Sequence, residues 1–283
     1  MFHRTEDRLR AAVRRLNAAE PPVDLVLFNG DLTKDGEPWN FERFEETVAD
    51  LDAPFVATPG NHDVPKDFDD HETPSTSVFE DRYAEPFPFV RRVGGLELVL
   101  LDSATFPDGS LDDEHRGALS PSQLGWLDET LGELDDPVVA FHHNVLPVLP
   151  RTVGNIAFRR VYSLYNRAEV LEVLNKHGVP AVLTAHHHIP DVERVGKVTE
   201  VTAPPACSYP QAHLLLDINR NGTTVRLVPH ADESEQREAY DALSSALNAR
   251  RRFAGVVDGK LRGVPLLEDV TKKQKQKPAE PRG

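Results

Sequence analysis

The sequence predicts an α/β fold, and three observations carry that prediction. Helical and extended patterns alternate along the chain. The extended pieces are short apolar runs, as in strands with two covered faces. Several of these runs end directly in Gly, Asn, Asp or His.

The elements follow in order. Thr5 is placed to cap a first helix, with Glu6 and Asp7 in its first turn and Leu9, Ala12, Val13 and Leu16 on one face. Val23–Phe28, between Pro22 and Gly30, reads as a strand buried on both faces. Phe41, Phe44, Val48 and Leu51 form a second helical stripe, and Phe55-Val56-Ala57 a second strand. Leu96–Leu101 is a third. Ser120-Pro121-Ser122-Gln123 then combines a cap, a proline at the first helical position and a glutamine that closes a capping box. Leu124, Leu127, Leu131 and Leu134 are that helix's stripe. Val138–Phe141 is extended, Asn166 to Glu169 repeats the cap spacing, and Gly178 ends the helix they start. Pro180–Thr184 is extended again, and further strand-like pieces lie at 198–202, 213–218 and 223–229. Asn221-Gly222 marks a hairpin between the last two. Residues 232–253 read as a charged helix. The expected division is a main domain at 1–230 and an accessory tail at 231–283.

Composition bounds the function. The chain has 283 residues, 39 % hydrophobic and 28 % charged, which suits a folded globular protein with a real core. No run reaches the ~18 apolar residues of a membrane span, and the polar start, Met1 to Asp7, carries no secretory pattern. One cysteine, Cys207, excludes an intrachain disulfide framework and a four-cysteine zinc site, so a cytoplasmic setting is expected. The net charge of −14 argues against a nucleic-acid-coating surface. Lysine is scarce, 9 against 23 arginines, which suits either concentrated salt, as in a halophilic protein, or an ordinary acidic cytosol. The last twelve residues reverse the sign, with four lysines and Arg282 against Glu280, and read as a solvated basic end.

Polar residues gather where strands stop. Phe28 leads into Asn29-Gly30-Asp31, Ala57 toward Gly60-Asn61-His62-Asp63, Phe141 into His142-His143, and Thr184 into Ala185-His186-His187-His188. In an open α/β sheet, ligands bind beyond the carboxyl ends of strands, so these four ends are expected to converge. Each alone has a plain explanation: a turn, a half-buried histidine pair, a surface histidine tract. Together and in order they describe a site of carboxylate, amide and imidazole without thiolate, suited to Mn, Fe, Co, Ni or Zn.

These four motifs resemble the calcineurin-like metallophosphoesterase family, with similarity over roughly residues 5–230. Residues 23–65, Leu101-Asp102-Ser103 and the Ser120–Leu127 helix together resemble the cyclic-nucleotide-phosphodiesterase-like subgroup. The resemblance implies a four-layer α/β/β/α sandwich and a metal-dependent phosphoesterase that acts on a small phosphate ester through a water activated by two metals. It implies Asp31 as a carboxylate bridging both ions, with Asn61, His142 and His186 completing one and His188 serving the other. His62 is implied as general acid or phosphate contact, with Asp63 orienting its imidazole.

One family element is absent from this sequence. An Asp-x-His at the end of a first strand would supply the main ligands of the ion that His188 serves, and Met1-Phe2-His3 offers neither carboxylate nor strand. The expectation is a first strand missing from the sequence as given, a second ion held by few donors, and an Asp-x-His encoded upstream. Ala185 stands where the family usually has Gly, and Asn144 where many members have Pro. A second reading follows from the same gap: a metal-poor scaffold of this fold that binds a protein partner, with 232–253 as docking element. Residues 64–95 are expected to cover the site, and Arg151, Asn155, Arg159 and Arg160 to lie after the His142 strand, mostly as surface charge. A membrane partner is not expected, and the oligomeric state stays open.

Overall fold

The structure is a computed structural model and describes residues 4–65, 70–105, 116–146, 163–219, 222–245, 257 and 261. Helix α1 (Thr5–Asn17), strand β1 (Val26–Asn29), helix α2 (Pro38–Val48), strand β2 (Phe55–Thr58) and helix α3 (Thr76–Tyr83) come first. A hairpin of β3 (Phe89–Val93) and β4 (Leu96–Leu100) turns through Gly94-Gly95. Then come α4 (Pro121–Leu131), β5 (Val138–Ala140), α5 (Arg167–His177), β6 (Ala181–Thr184), β7 (Asp191–Val195), β8 (Val198–Thr202), β9 (Ala212–Asn219), β10 (Gly222–Pro229) and α6 (Glu233–Ser245).

The main sheet has the order β3-β4-β5-β6-β8-β7. Its four central strands are parallel and its two edges antiparallel. β1 and β2 form a separate parallel pair, and β9 and β10 an antiparallel hairpin.

Side-chain alternation sets the layers. Val99, Val139 and Val182 point to one face of the main sheet, where they pack on Leu127 and Leu131 of α4 and Val170 and Leu174 of α5. Leu98, Leu100, Val138, Ala140 and Ala181 point to the other and meet Val56, Leu25 and Leu27. The far side of β1 and β2 packs Phe28, Phe55 and Ala57 against Val13 of α1, Phe41, Phe44 and Val48 of α2 and Phe79 and Tyr83 of α3. Helices, the β1–β2 pair, the main sheet and helices again make the α/β/β/α sandwich.

Several local expectations change in the folded chain. β1 is shorter than its apolar run, and of its residues only Val26 is buried. Both its faces are covered, Leu27 toward the main sheet and Phe28 toward the helices, and its one strand partner among the described residues is β2, so Leu27, Phe28 and Asn29 stay partly exposed. Thr5 is the first helical residue, and Arg4 takes the cap position at φ 60. Ser120 caps α4 as expected, its hydroxyl accepting from Gln123 N at 3.2 Å. The Gln123 carboxamide does not close a box. It accepts from Asp102 N at 3.0 Å and donates to Asp102 O at 2.8 Å, which ties α4 to the end of β4. Asn166 likewise grips the backbone of Leu119 rather than capping its own helix. β3 and β7, both edge strands, have no counterpart in the sequence reading. The basic end, 272–283, lies outside the described residues. Val257 and Leu261 pack with Ala239 and Leu243 of α6 against Ile189 and Tyr209.

Candidate metal centre

The parallel register places the ends of β5 and β6 side by side, with Ala140 opposite Leu183, and pairing continues past the strands as Ala185 N donates to His142 O at 2.9 Å. β1 and β2 end together, Asn29 opposite Thr58. Asn29 joins the two layers: its carboxamide donates to Phe141 O and Leu183 O, both at 3.2 Å, and accepts from the Thr58 hydroxyl at 2.8 Å. All four motif loops therefore open at one end of the sandwich.

Their side chains converge there. His142 is 1 % exposed. Its Nδ1 donates to Asn29 O at 2.8 Å, which aims Nε2 into the cluster. That Nε2 lies 3.5 Å from Asp31 Oδ1 and 3.2 Å from His186 Nδ1. His186 Nδ1 is in turn 3.1 Å from Asn61 Oδ1. Asp31, Asn61, His142 and His186 thus form one cluster. His188 lies within the electrostatic reach of Asp31, His142 and His62, and burial pushes its imidazole down.

Two glycines permit this approach. A Cβ on Gly30 would overlap the His142 ring, and one on Gly60 would overlap the Asp31 carboxylate. Gly30 also sits at φ 85, where a side chain is strained. Asp31, His186 and His188 hold φ values of 55, 52 and 56, a left-handed backbone that L-residues rarely adopt. Strain of this kind concentrates at functional sites.

Burial would raise Asp31, yet the His142 imidazole beside it, helped by His62 and His186, holds it well below the usual carboxylate range. Burial would lower His142, and Asp31 outweighs it in the other direction. His186 is pushed well down by burial and by the neighbouring histidines. A neutral imidazole, a carboxylate and an amide oxygen are the donors a divalent cation needs, so the residues fit one.

Asp63 is 1 % exposed and serves the backbone. Its carboxylate accepts from Leu32 N at 3.1 Å, Thr33 N at 2.9 Å, the Thr33 hydroxyl at 2.9 Å and Gly60 N at 3.0 Å. It braces the Asp31 loop against the Asn61 turn. The His62 ring is held elsewhere, its Nδ1 2.6 Å from Lys34 O, while His62 N donates to Asp31 Oδ1 at 3.1 Å. The expected Asp63-to-imidazole contact is therefore replaced by a carbonyl of the neighbouring loop.

The sequence reading left out His143. With His142 and His186 it forms a buried trio whose ring nitrogens lie within 4.8 Å of one another. Its Nδ1 is 2.9 Å from Ser103 Oγ, and its ring centroid is 4.5 Å from that of His186. Alternation along a strand would turn His143 away from His142, but the strand stops at Ala140 and the backbone bends. Its doubling with His142 was the signal available. The two residues expected to serve a second ion, Asp31 and His188, both lie among the described residues. Arg151, Asn155, Arg159 and Arg160 lie outside the described residues. In the expected cover, Thr73 donates to Asp35 O at 3.1 Å and His71 meets Glu37 at 3.0 Å, both at the loop after Asp31.

Comparison with known proteins agrees with this geometry. The profile of the calcineurin-like phosphoesterase family matches residues 2–190. A probable cyclic nucleotide phosphodiesterase of Synechococcus sp. is 30 % identical over 196 residues, 69 % of each chain. A cAMP/cGMP dual specificity phosphodiesterase of Mycobacterium tuberculosis is 31 % identical over 189 residues, 65 % of this chain and 54 % of that one, so the match spans about half of that relative. Among solved structures, a dimetal phosphatase from Danio rerio superposes with a TM-score of 0.59 at 14 % identity, covering 80 % of this chain and 87 % of its own. The chain belongs to the calcineurin-like phosphoesterase family, metal-dependent hydrolases of phosphoric esters. The scaffold reading is not favoured, since the sequence relatives are named as enzymes.

Proposed function

We propose that this chain hydrolyses a phosphodiester of cyclic-nucleotide type at the cluster of Asp31, Asn61, His142 and His186. The observation that carries the reading is the aim of His142: Nδ1 fixed on Asn29 O at 2.8 Å and Nε2 turned toward Asp31 and His186. The names of the sequence relatives support the choice of a nucleotide diester. Asp31, Asn61, His142 and His186 would hold one divalent ion, and Asp31 with His188 would contribute to a second. Manganese is the ion proposed, on the oxygen and imidazole donor set. When bound, such ions polarise a phosphoryl group and acidify a water for attack.

The chain's own groups do the rest. His62 is half-buried at the rim, with one ring nitrogen on Lys34 O, so its other nitrogen is proposed to protonate the departing alkoxide. Asp63 keeps the two loops in register so that Asp31 and Asn61 face the same point. His143, fixed on Ser103, packs behind His186 and limits its rotation. The working location is proposed to be the cytoplasm, on the single cysteine. Among the described residues, no helix is long and apolar enough to cross a membrane.

The test is hydrolysis of bis-p-nitrophenyl phosphate, p-nitrophenyl phosphate and 3′,5′-cyclic AMP with Mn²⁺ present. Turnover of the diesters, lost in His142→Ala, is expected. A folded chain silent on all three substrates would overturn the reading, and monoester turnover alone would reassign the substrate.

A further inference from the structure

A buried polar network outside the cluster centres on Glu200 of β8, which is 2 % exposed. Its carboxylate accepts from Val145 N at 2.9 Å, Leu146 N at 2.7 Å, the Thr184 hydroxyl at 2.8 Å and Asn144 Nδ2 at 3.2 Å. Asn144 Nδ2 also donates to the hydroxyls of Thr184 at 2.8 Å and Thr202 at 2.9 Å. Burial pushes the Glu200 carboxyl up to about 7 against the pull of these donors. A buried carboxyl is costly to keep in a sheet where an apolar residue would pack.

The donors are not scattered. Residues 144–146 directly follow His142-His143, and Thr184 precedes His186 by two residues. We infer that Glu200 is the positioning residue of the metal centre, clamping the turn after His142 and the strand end before His186 onto one carboxylate so that their imidazoles keep a fixed separation. The inference rests on the metal-centre reading above. Glu200 touches neither ion nor substrate in this role; it acts through the loops that carry the histidines. Asn144 belongs to the same device. Its side chain links the His142 turn to β6 and β8.

The experiment is a Co²⁺ titration of the full 283-residue chain, read by visible absorption, with thermal unfolding followed in parallel. Glu200→Ala is expected to weaken Co²⁺ binding by about 10–100-fold and to change the ligand-field bands, because supporting contacts tune metal ligands on that scale. Glu200→Gln keeps one acceptor oxygen and should restore part of the affinity. Thr184→Val, nearly isosteric, removes the hydroxyl that ties the His186 strand end to Glu200, Asn144 and Thr202 while leaving the carboxylate in place, and should change the spectrum with a smaller loss of affinity. It also decides the question if Glu200→Ala does not fold. Folded Glu200→Ala and Thr184→Val with unchanged affinity and bands would overturn the inference while leaving the metal centre standing. No Co²⁺ binding by the unsubstituted chain, or equal binding by His142→Ala, would overturn both.

Discussion

One oxygen of Asp63 accepts both the N–H and the hydroxyl of Thr33, each at 2.9 Å, across the two loops that carry Asp31 and Asn61. A residue that the family resemblance implies as orienting the His62 imidazole holds, in this geometry, two loops together. The distinction has consequences that can be measured.

Asp63→Ala strands three backbone N–H groups and one hydroxyl in a buried place, and should cost on the order of 3 kcal/mol in urea unfolding. Asp63→Asn should lose less. If Asp63 acts as a brace, Asp63→Asn weakens metal binding but leaves the shape of the pH–rate profile unchanged. A displaced limb of that profile would instead mean that it acts on the His62 imidazole.

Metal should stabilise the fold through His142. A ligand that binds only the folded state raises its stability by RT ln(1 + [L]/Kd), about 2.7 kcal/mol at a hundredfold excess over Kd. The melting temperature of the chain should climb with Mn²⁺ and fall with chelator. In His142→Ala both responses should vanish, and kcat/KM should fall at least about a hundredfold.

Gly30→Ala places a methyl against the His142 ring at a backbone of φ 85. A loss on the order of 2 kcal/mol is expected, with weakened metal binding. The same substitution at Gly125, where a Cβ meets nothing within 4 Å on α4, should be neutral or slightly stabilising. Urea unfolding of the pair separates a tight site from a generally fragile chain.

Asp102 predicts a pH dependence. Burial pushes its carboxyl up to about 7 from 3.8, against the N–H groups of Ala104 and Thr105. Between those values the folded chain holds a proton that the unfolded chain has released. The contribution of this group is therefore greatest at low pH, falls as pH rises from about 4 to about 7, and is flat above. Asp102→Asn keeps the acceptor oxygen and removes the titration. Relative to the unsubstituted chain, its stability should rise on the order of 2 kcal/mol between pH 4 and pH 8. Denaturation series at those two pH values, in chelator, give the difference directly, and parallel curves would refute it.

Much of the fold was legible because its signals are local. Phe41, Phe44 and Val48 repeat at helical spacing and do pack as one face, and Ser120 does cap α4. β1 does lie between two layers, as its apolar run implies, but the run does not report that the strand pairs on one edge with β2, which leaves Leu27 and Phe28 partly exposed. Gln123 and Asn166 sat at capping positions but found partners 21 and 47 residues away, which no window along the chain can foresee.

By itself, the sequence determined the order of the central strands and of the helices that pack on them, without α3, β3 and β7, and the kinds of donor at each strand end: carboxylate, amide and paired imidazoles without thiolate. Tertiary structure decided which atoms meet. Parallel register set the ends of β5 and β6 side by side and β1 and β2 across from them, and only then did His142 turn one nitrogen to Asn29 and the other to Asp31. The brace at Asp63 and the clamp at Glu200 arise the same way. Their energy comes from satisfying buried donors on chain segments about 30 and 55 residues away, a quantity that exists only once the layers have closed.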